Sequence, residues 1–244
     1  MSLDDSTAAR YYRAVLILMA MATAISAFVT TSKFAPGDKL FASWMFVGIG
    51  YSLSTVRYSL RLIVLMRGGG DLFPRAVLDG LLIVQNVAIA VALFMFVRAW
   101  KATGLGVPAS RGARVGLILF GIAVAVIVGG YPLVQGWQTL GADTVLLIST
   151  LGDVVGIALI VPLAMSALAL RGGLLMHTWL YLAVCEAMWL LYDVWLALRG
   201  RLGIGTRAGI GIEQIIRVVA IGFALIASIA QRRAISGGSA GRRG

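Results

Sequence analysis

Long apolar segments, each followed by charged or turn-forming residues, constrain this chain more than any other feature. A membrane-spanning helix needs about 20 predominantly apolar residues. Segments of that kind lie at residues 14–32, 40–62, 76–99, 114–134, 144–170, 173–198 and 209–231. With 60% hydrophobic and 13% charged residues, the chain is also too apolar to cover a water-facing surface. The sequence therefore predicts an all-α integral membrane protein, a bundle of seven transmembrane helices.

The remaining residues form two ends and short connections. We expect an N-terminal segment at residues 1–13, the transmembrane domain at 14–231 and a basic, glycine-rich flexible tail at 232–244. Asp4 and Asp5 make the N-terminus a poor signal peptide, so the first apolar segment is expected to be a retained helix. The connections are too short to hold a catalytic or regulatory domain.

The net charge of +11 also fits a membrane. Lysine and arginine lie mainly at the ends of the apolar segments, where they meet phospholipid headgroups, so the bilayer rather than nucleic acid is the expected partner. If Arg57 and Arg61 lie within the second helix, the remaining positive charges favour a cytoplasmic C-terminus and an external N-terminus. Tryptophans near predicted span ends are expected in the interfacial aromatic belts: Trp44, Trp100, Trp137 and Trp195.

Charged residues inside the apolar segments are the most informative positions, because each costs at least about 2.5 kcal/mol in the bilayer unless it is paired or functional. Arg57 and Arg61 share one face of the second helix, and Asp79 on the third is a plausible partner. Glu213 and Arg217 have the spacing of an ion pair within one helix.

The remaining intramembrane acids lie on the fifth and sixth predicted helices. Glu186, Trp189 and Asp193 form one polar and aromatic stripe on the sixth helix, and Asp153 is a buried acid on the fifth. Two interpretations stay open for all these charges. They line an interior that binds a ligand, relays protons or senses the membrane, or they hold the helices in register.

Known seven-helix proteins offer two comparisons. Retinal proteins hold their chromophore on a lysine of the last helix, but Lys33, Lys39 and Lys101 all lie outside the seventh span, so covalent retinal is not expected. A noncovalent pigment stays open, and the cofactor is unknown. The single Cys185 and single His177 exclude a disulfide framework within the chain and a Cys/His metal cluster.

The stretch from 149 to 193 resembles the seven-helix sensor regions that precede bacterial and archaeal histidine kinases and diguanylate cyclases. The similar residues are Leu151-Gly152-Asp153, Pro162, Leu170-Arg171-Gly172-Gly173, Trp179-Leu180 and Tyr192-Asp193. The resemblance implies a sensory role in a bacterial or archaeal cytoplasmic membrane, with a cytoplasmic C-terminus. The sequence departs from those proteins because only about a dozen residues follow the seventh predicted span, so we expect no kinase or cyclase domain after it.

We therefore expect a noncatalytic membrane protein of sensor or receptor type that signals through a protein partner or a homo-oligomer in the membrane. A transporter or proton-coupled channel using Asp79, Glu186, Asp193 and Glu213 is the first alternative. A structural subunit of a larger membrane complex is the second. An enzyme is not expected, because the sequence offers neither a nucleophile with its base nor a metal site.

Overall fold

Five long helices make up most of the structure, a computed structural model. It describes residues 5–68, 72–102, 174–202 and 206–240, and isolated helical positions at 112, 115–116, 119, 122–123, 126, 152, 155–156, 158–159, 161 and 164–165. The helices are α1 (Asp5–Thr31), α2 (Lys39–Met66), α3 (Arg75–Ala102), α4 (Leu174–Leu202) and α5 (Thr206–Ala240). They correspond to five of the seven predicted spans; the other two, 114–134 and 144–170, lie largely outside the described residues.

Four of these helices are long and apolar enough to cross a membrane, over Thr7–Thr31, Ala76–Trp100, Leu175–Leu196 and Gly211–Ser236. This indicates an integral membrane protein. Large apolar side chains also cover the outer surface of the helices, as lipid contact requires; Leu18 is 59% exposed and Phe94 52%. α2 is as long as its neighbours but is not among these four, and it carries Arg57 and Arg61 as well as several serines, glycines and tyrosines.

Local signals in the sequence determine where the helices end. After α1, the segment with Pro36 and Gly37 turns the chain, and the Asp38 carboxylate accepts a hydrogen bond from the backbone N–H of Ala35 at 3.1 Å. α2 ends at Met66, and Gly68 two residues later has a φ of 85°, a conformation that residues with a side chain rarely adopt. All five helices are longer than the predicted spans, and α1 and α5 exceed them most. α1 already begins at Asp5, and α5 continues to Ala240 through most of the expected tail.

A seam of small and hydroxyl side chains joins α1 to α5. Thr23 Oγ1 donates to the carbonyl of Ile221 at 3.4 Å, and Thr30 Oγ1 donates to that of Ser228 at 3.1 Å. The Ser26 and Ser228 hydroxyls bond to each other, and Arg232 donates to Ser26 at 2.9 Å. The buried alanines that accompany this seam are Ala20, Ala24, Ala27, Ala220, Ala224 and Ala227. Small residues let membrane helices approach closely, so hydrogen bonds can form between them.

The interior is built in layers between α2 and α4. Trp44, Tyr51 and Tyr58 follow one another at intervals of seven residues on α2 and are all buried. At one end, the ring of Phe96 lies 5.2 Å from that of Trp44 and 5.5 Å from that of Trp179. In the middle, Tyr51 Oη lies 3.6 Å from Cys185 Sγ. The third layer, around Tyr58, contains the charged residues.

These contacts fix the relative directions of the helices. Higher residue numbers on α1 meet higher numbers on α5, and the same holds for α2 and α4, so each pair is parallel. α3 runs antiparallel to α2, because Phe96 meets Trp44 whereas a Cβ on Gly50 would meet Ile89, earlier in α3.

Candidate functional site

Arg217 is the centre of a charged cluster between α2, α4 and α5. It is only 8% exposed, and its Nη2 donates a hydrogen bond to Tyr58 Oη at 3.2 Å. Its guanidinium carbon lies 5.1 Å from the centre of the Tyr58 ring and 5.3 Å from that of Tyr192. Arginine is suited to such a place because its planar cation can lie against aromatic rings while its N–H groups donate hydrogen bonds.

Glu213 supplies negative charge to this cluster. One carboxylate oxygen accepts a hydrogen bond from Arg199 Nη1 at 3.0 Å, and the other lies 3.8 Å from Arg217 Nη1. The ion pair that the sequence predicts between Glu213 and Arg217 is therefore present. The shorter contact, to Arg199 of α4, was not predicted, and it joins the end of α4 to the beginning of α5.

Three further arginines surround this centre. Arg57 of α2 is 7% exposed, and its charge acts on that of Arg61 one turn later and on that of Arg217. Arg13 of α1 lies within electrostatic range of Arg61, Arg217 and Glu213. As predicted, Arg57 and Arg61 lie one turn apart on the same helix, where Arg57 is buried and Arg61 half-buried.

The predicted acidic stripe on α4 lies beside this cluster and extends from it toward the middle of the helix. Glu186 and Asp193 are both half-buried, and both interact with neighbouring groups. The half-buried Trp189 packs edge-on against Tyr192, with ring centres 5.9 Å apart. The stripe is therefore continuous with the tyrosine rings that lie against Arg217. Its functional role stays a prediction.

The remaining predicted acids are Asp79 and Asp153. Asp79 is half-buried near the start of α3, at the same end of the bundle as the arginines, and interacts with neighbouring groups. Asp153 lies outside the described residues. Its helical neighbours are placed, however: a Cβ on Gly152 would lie 3.7 Å from the Asn86 side chain of α3, and one on Gly156 would lie 3.9 Å from Glu186 Oε2 of α4.

The opposite end of the interior is aromatic. Trp44, Phe96 and Trp179 are 0%, 1% and 5% exposed, and Trp100 lies with its ring 6.2 Å from that of Trp179. The prediction that Trp44 and Trp100 belong to interfacial belts is wrong, because both rings pack against other helices. Trp195 is half-buried, and Trp137 lies outside the described residues.

Sequence reasoning missed Tyr58, Arg199 and Arg13. Tyr58 could have been found, because Trp44, Tyr51 and Tyr58 repeat at intervals of seven, which places them along one side of a helix. Arg199 and Arg13 were interpreted as residues of a connection and of the N-terminal segment. α4 instead continues to Leu202 and α1 begins at Asp5, so both arginines lie on helices.

Comparison with known proteins yields no match to a family, to a curated protein or to a solved structure. Among the described residues, no group of three or more His, Cys, Asp or Glu side chains is placed to hold a metal ion.

Proposed function

We propose that this chain is a noncatalytic seven-helix membrane protein of sensor or receptor type that acts through a partner protein. One observation carries the proposal: the interior is charged at one end and filled with aromatic rings at the other. A charged layer at one end, closed off by packed rings at the other, is suited to respond to a signal from one side of the membrane.

Helix directions agree with the seven predicted spans. α3 runs antiparallel to α2 and α2 runs parallel to α4, so an even number of crossings must connect α3 to α4 across residues 103–173. Two helices would satisfy this. The isolated described positions from 112 to 126 and from 152 to 165 are helical, and Leu159 packs against the core formed by the five long helices.

The placement of these positions agrees with one lipid-facing and one internal helix. All described positions from 112 to 126 are exposed, including Leu119 at 60% and Val126 at 66%. Gly152 and Gly156 instead approach α3 and α4, so a fifth span through these positions would pack against the interior of the bundle.

The aromatic end favours a receptor over a channel or transporter. α2 rises about 1.5 Å per residue, so the aromatic layer at Trp44 lies about 21 Å from Tyr58. A path for ions needs polar groups or water along its length. Within the described helices, the fully buried rings of Trp44 and Phe96 interrupt such a path.

The location of Arg57 supports the proposed orientation. Because it is buried in α2, it does not count among the loop charges that determine topology. Most of the remaining lysines and arginines then lie with the C-terminus on the cytoplasmic side, as in the sensor regions that the chain resembles. The charged cluster around Arg217 would then lie toward the outer side of the membrane. Reporter fusions at the C-terminus should therefore be active only as cytoplasmic reporters.

Native purification tests the function. The tagged chain would be solubilised gently from its own membrane and analysed by mass spectrometry and absorption spectroscopy, beside the double variant E186Q/D193N and the exposed-loop control D38N. A sensor predicts a protein partner whose recovery changes at least about threefold in the double variant and stays constant in the control.

Other results would favour the alternatives. A structural subunit predicts the same partner recovered equally from all three proteins. Proton or ion flux through the purified chain in liposomes, lost in E186Q/D193N, would establish a transporter or channel. Equal recovery in every variant without flux would remove the support for a sensory role.

A further inference from the structure

We propose that the arginine cluster, defined as Arg13, Arg57, Arg61 and Arg217, binds a small oxyanion, namely a carboxylate or a phosphate group. The inference rests on the proposed function and names the chemical class of the ligand that the sensor would bind. It starts from the position of these residues: Arg57 and Arg217 are buried, Arg13 and Arg61 are half-buried, and the four lie on three helices within electrostatic range of Arg217 or of one another.

The described carboxylates do not balance this charge. Glu213 is shared between Arg199 and Arg217, so it offers each only part of a negative charge. Asp79 and Asp193 lie at the same end of the bundle and have interactions of their own. Even with all three acids counted, the four arginines of the cluster and Arg199 leave an excess of positive charge, which repels itself in a medium of low dielectric constant.

Two buried donors of the cluster also lack an acceptor. Arg57 Nε and Arg217 Nε are shielded from solvent and have no hydrogen-bond partner among the described residues. Both side chains belong to residues that are more than nine-tenths buried. Leaving a buried donor unsatisfied is costly, and more so for a charged group, so a ligand that accepts from these atoms would stabilise the folded chain.

The geometry of the donors indicates the class of ligand. A guanidinium presents N–H groups in a planar fork that matches the two oxygens of a carboxylate or phosphate. Tyr58 Oη accepts a hydrogen bond from Arg217, so its own hydrogen is available for donation to an anion. The rings of Tyr58 and Tyr192 form an apolar wall on Arg217, which excludes water and strengthens the attraction between anion and cation.

The oxyanion has two possible sources, a free small molecule and the headgroup of an anionic lipid. The cluster lies toward the start of α1 and α5 and the end of α2, all at the same end of the bundle, and both sources occur at a bilayer face. The shared chemistry is an oxyanion held by arginine, and experiment distinguishes the sources.

Thermal unfolding of the purified full chain in dodecyl maltoside tests the proposal. Tryptophan fluorescence would be followed with phosphate or acetate titrated against chloride at constant ionic strength. A second arm would compare nanodiscs of phosphatidylcholine with nanodiscs that also contain phosphatidylglycerol. A hundredfold excess of ligand over its Kd is expected to raise Tm by roughly 5 to 10 °C.

Variants locate the site. R57Q/R217Q should weaken the binding of the stabilising anion at least about a hundredfold, since each change removes a charge-assisted hydrogen bond. R61Q, at a half-buried position, serves if the double variant does not fold, and should weaken binding at least about tenfold. R98Q/R233Q removes two exposed arginines at the opposite end of the helices and should leave the response unchanged.

The outcomes separate the sources and the hypotheses. Saturable stabilisation by phosphate or acetate indicates a free ligand, whereas stabilisation by phosphatidylglycerol alone indicates a lipid headgroup. Absence of both in the wild-type chain, or an equal loss in R98Q/R233Q, would overturn the proposal. Binding without a variant-sensitive partner would instead leave the anion site intact and remove the sensory function.

Discussion

Neutralising Glu213 is the sharpest test of how the charged layer is held together. Its carboxylate contacts Arg199 at 3.0 Å and Arg217 at 3.8 Å, and the three side chains are 15%, 30% and 10% exposed. The variant E213Q keeps the size of the side chain and removes its charge. Two arginines then lose their shared counter-ion inside an already basic cluster.

The expected cost follows from these contacts. Two unit charges 4 Å apart attract each other by about 4 kcal/mol at an effective dielectric constant of about 20. Removing one partner of a fully buried pair costs about 3–5 kcal/mol. Because Arg199 is 30% exposed, water screens part of that interaction. We expect E213Q to lower the free energy of unfolding by about 2–3 kcal/mol.

A double-mutant cycle isolates the contact between α4 and α5. R199Q alone should cost less than E213Q, because Glu213 keeps its contact with Arg217. The coupling energy between the two changes should be about 1.5–2 kcal/mol, as for a partly exposed charge-assisted hydrogen bond. Unfolding would be followed in mixed micelles of dodecyl maltoside and SDS, with D38N as the control.

Two results would refute this reasoning. If E213Q costs less than about 0.5 kcal/mol, the carboxylate does not compensate the arginines. If R199Q and E213Q are additive within about 0.3 kcal/mol, their contact contributes nothing to the association of α4 with α5.

Three further predictions concern helix packing and use the same unfolding assay. Y58F keeps the ring and removes the hydroxyl that accepts from α5, so it should cost about 1.5 kcal/mol; a neutral result would contradict that bond. G50A should cost about 1–3 kcal/mol, because a Cβ there would lie 2.7 Å from an α3 side chain, whereas G80A meets nothing within 4 Å and should stabilise by up to about 1 kcal/mol. Equal effects would mean that α2 and α3 do not approach closely. S228A removes the bond to Ser26 and should cost about 0.6–1.7 kcal/mol, and no change would show that this bond does not contribute to the association of α1 with α5.

Hydropathy alone predicts the helices well, because the bilayer demands a long apolar run wherever the chain crosses it. All five described helices coincide with predicted spans. Their ends are less predictable. α4 continues past the expected break at Arg199, and α1 begins near Asp5, because a helix can continue beyond the apolar core without breaking its backbone hydrogen bonds.

Whether a polar contact can be predicted from the sequence depends on how far apart its two residues lie along the chain. The pair of Glu213 and Arg217 follows from a spacing of four on one helix, so the sequence suffices. The bonds from Arg217 to Tyr58 and from Glu213 to Arg199 join separate helices, and helix rotation decides them. The same applies to Trp44, since its position near a helix end suits an interfacial belt and only packing shows that it faces the interior.

The seam of hydroxyl groups between α1 and α5 also escaped the sequence analysis. Serine and threonine are common in membrane helices, where they often bond to the carbonyl four residues earlier. Thr30 does both, with its hydroxyl 2.8 Å from the carbonyl of Ser26 and 3.1 Å from that of Ser228. The first contact is local, and the second depends on which helix lies alongside.

The row of aromatic residues on α2, Trp44, Tyr51 and Tyr58, has a consequence for movements of that helix. Residues seven apart on a straight helix drift by about 20° around its axis, so Trp44, Tyr51 and Tyr58 point in nearly the same direction. Each touches a different neighbour: Phe96, Cys185 and Arg217. A turn of α2 about its own axis would therefore shift all three contacts in the same sense. α2 can therefore couple the charged layer to the aromatic layer about 21 Å away, as long as the helix stays straight between them.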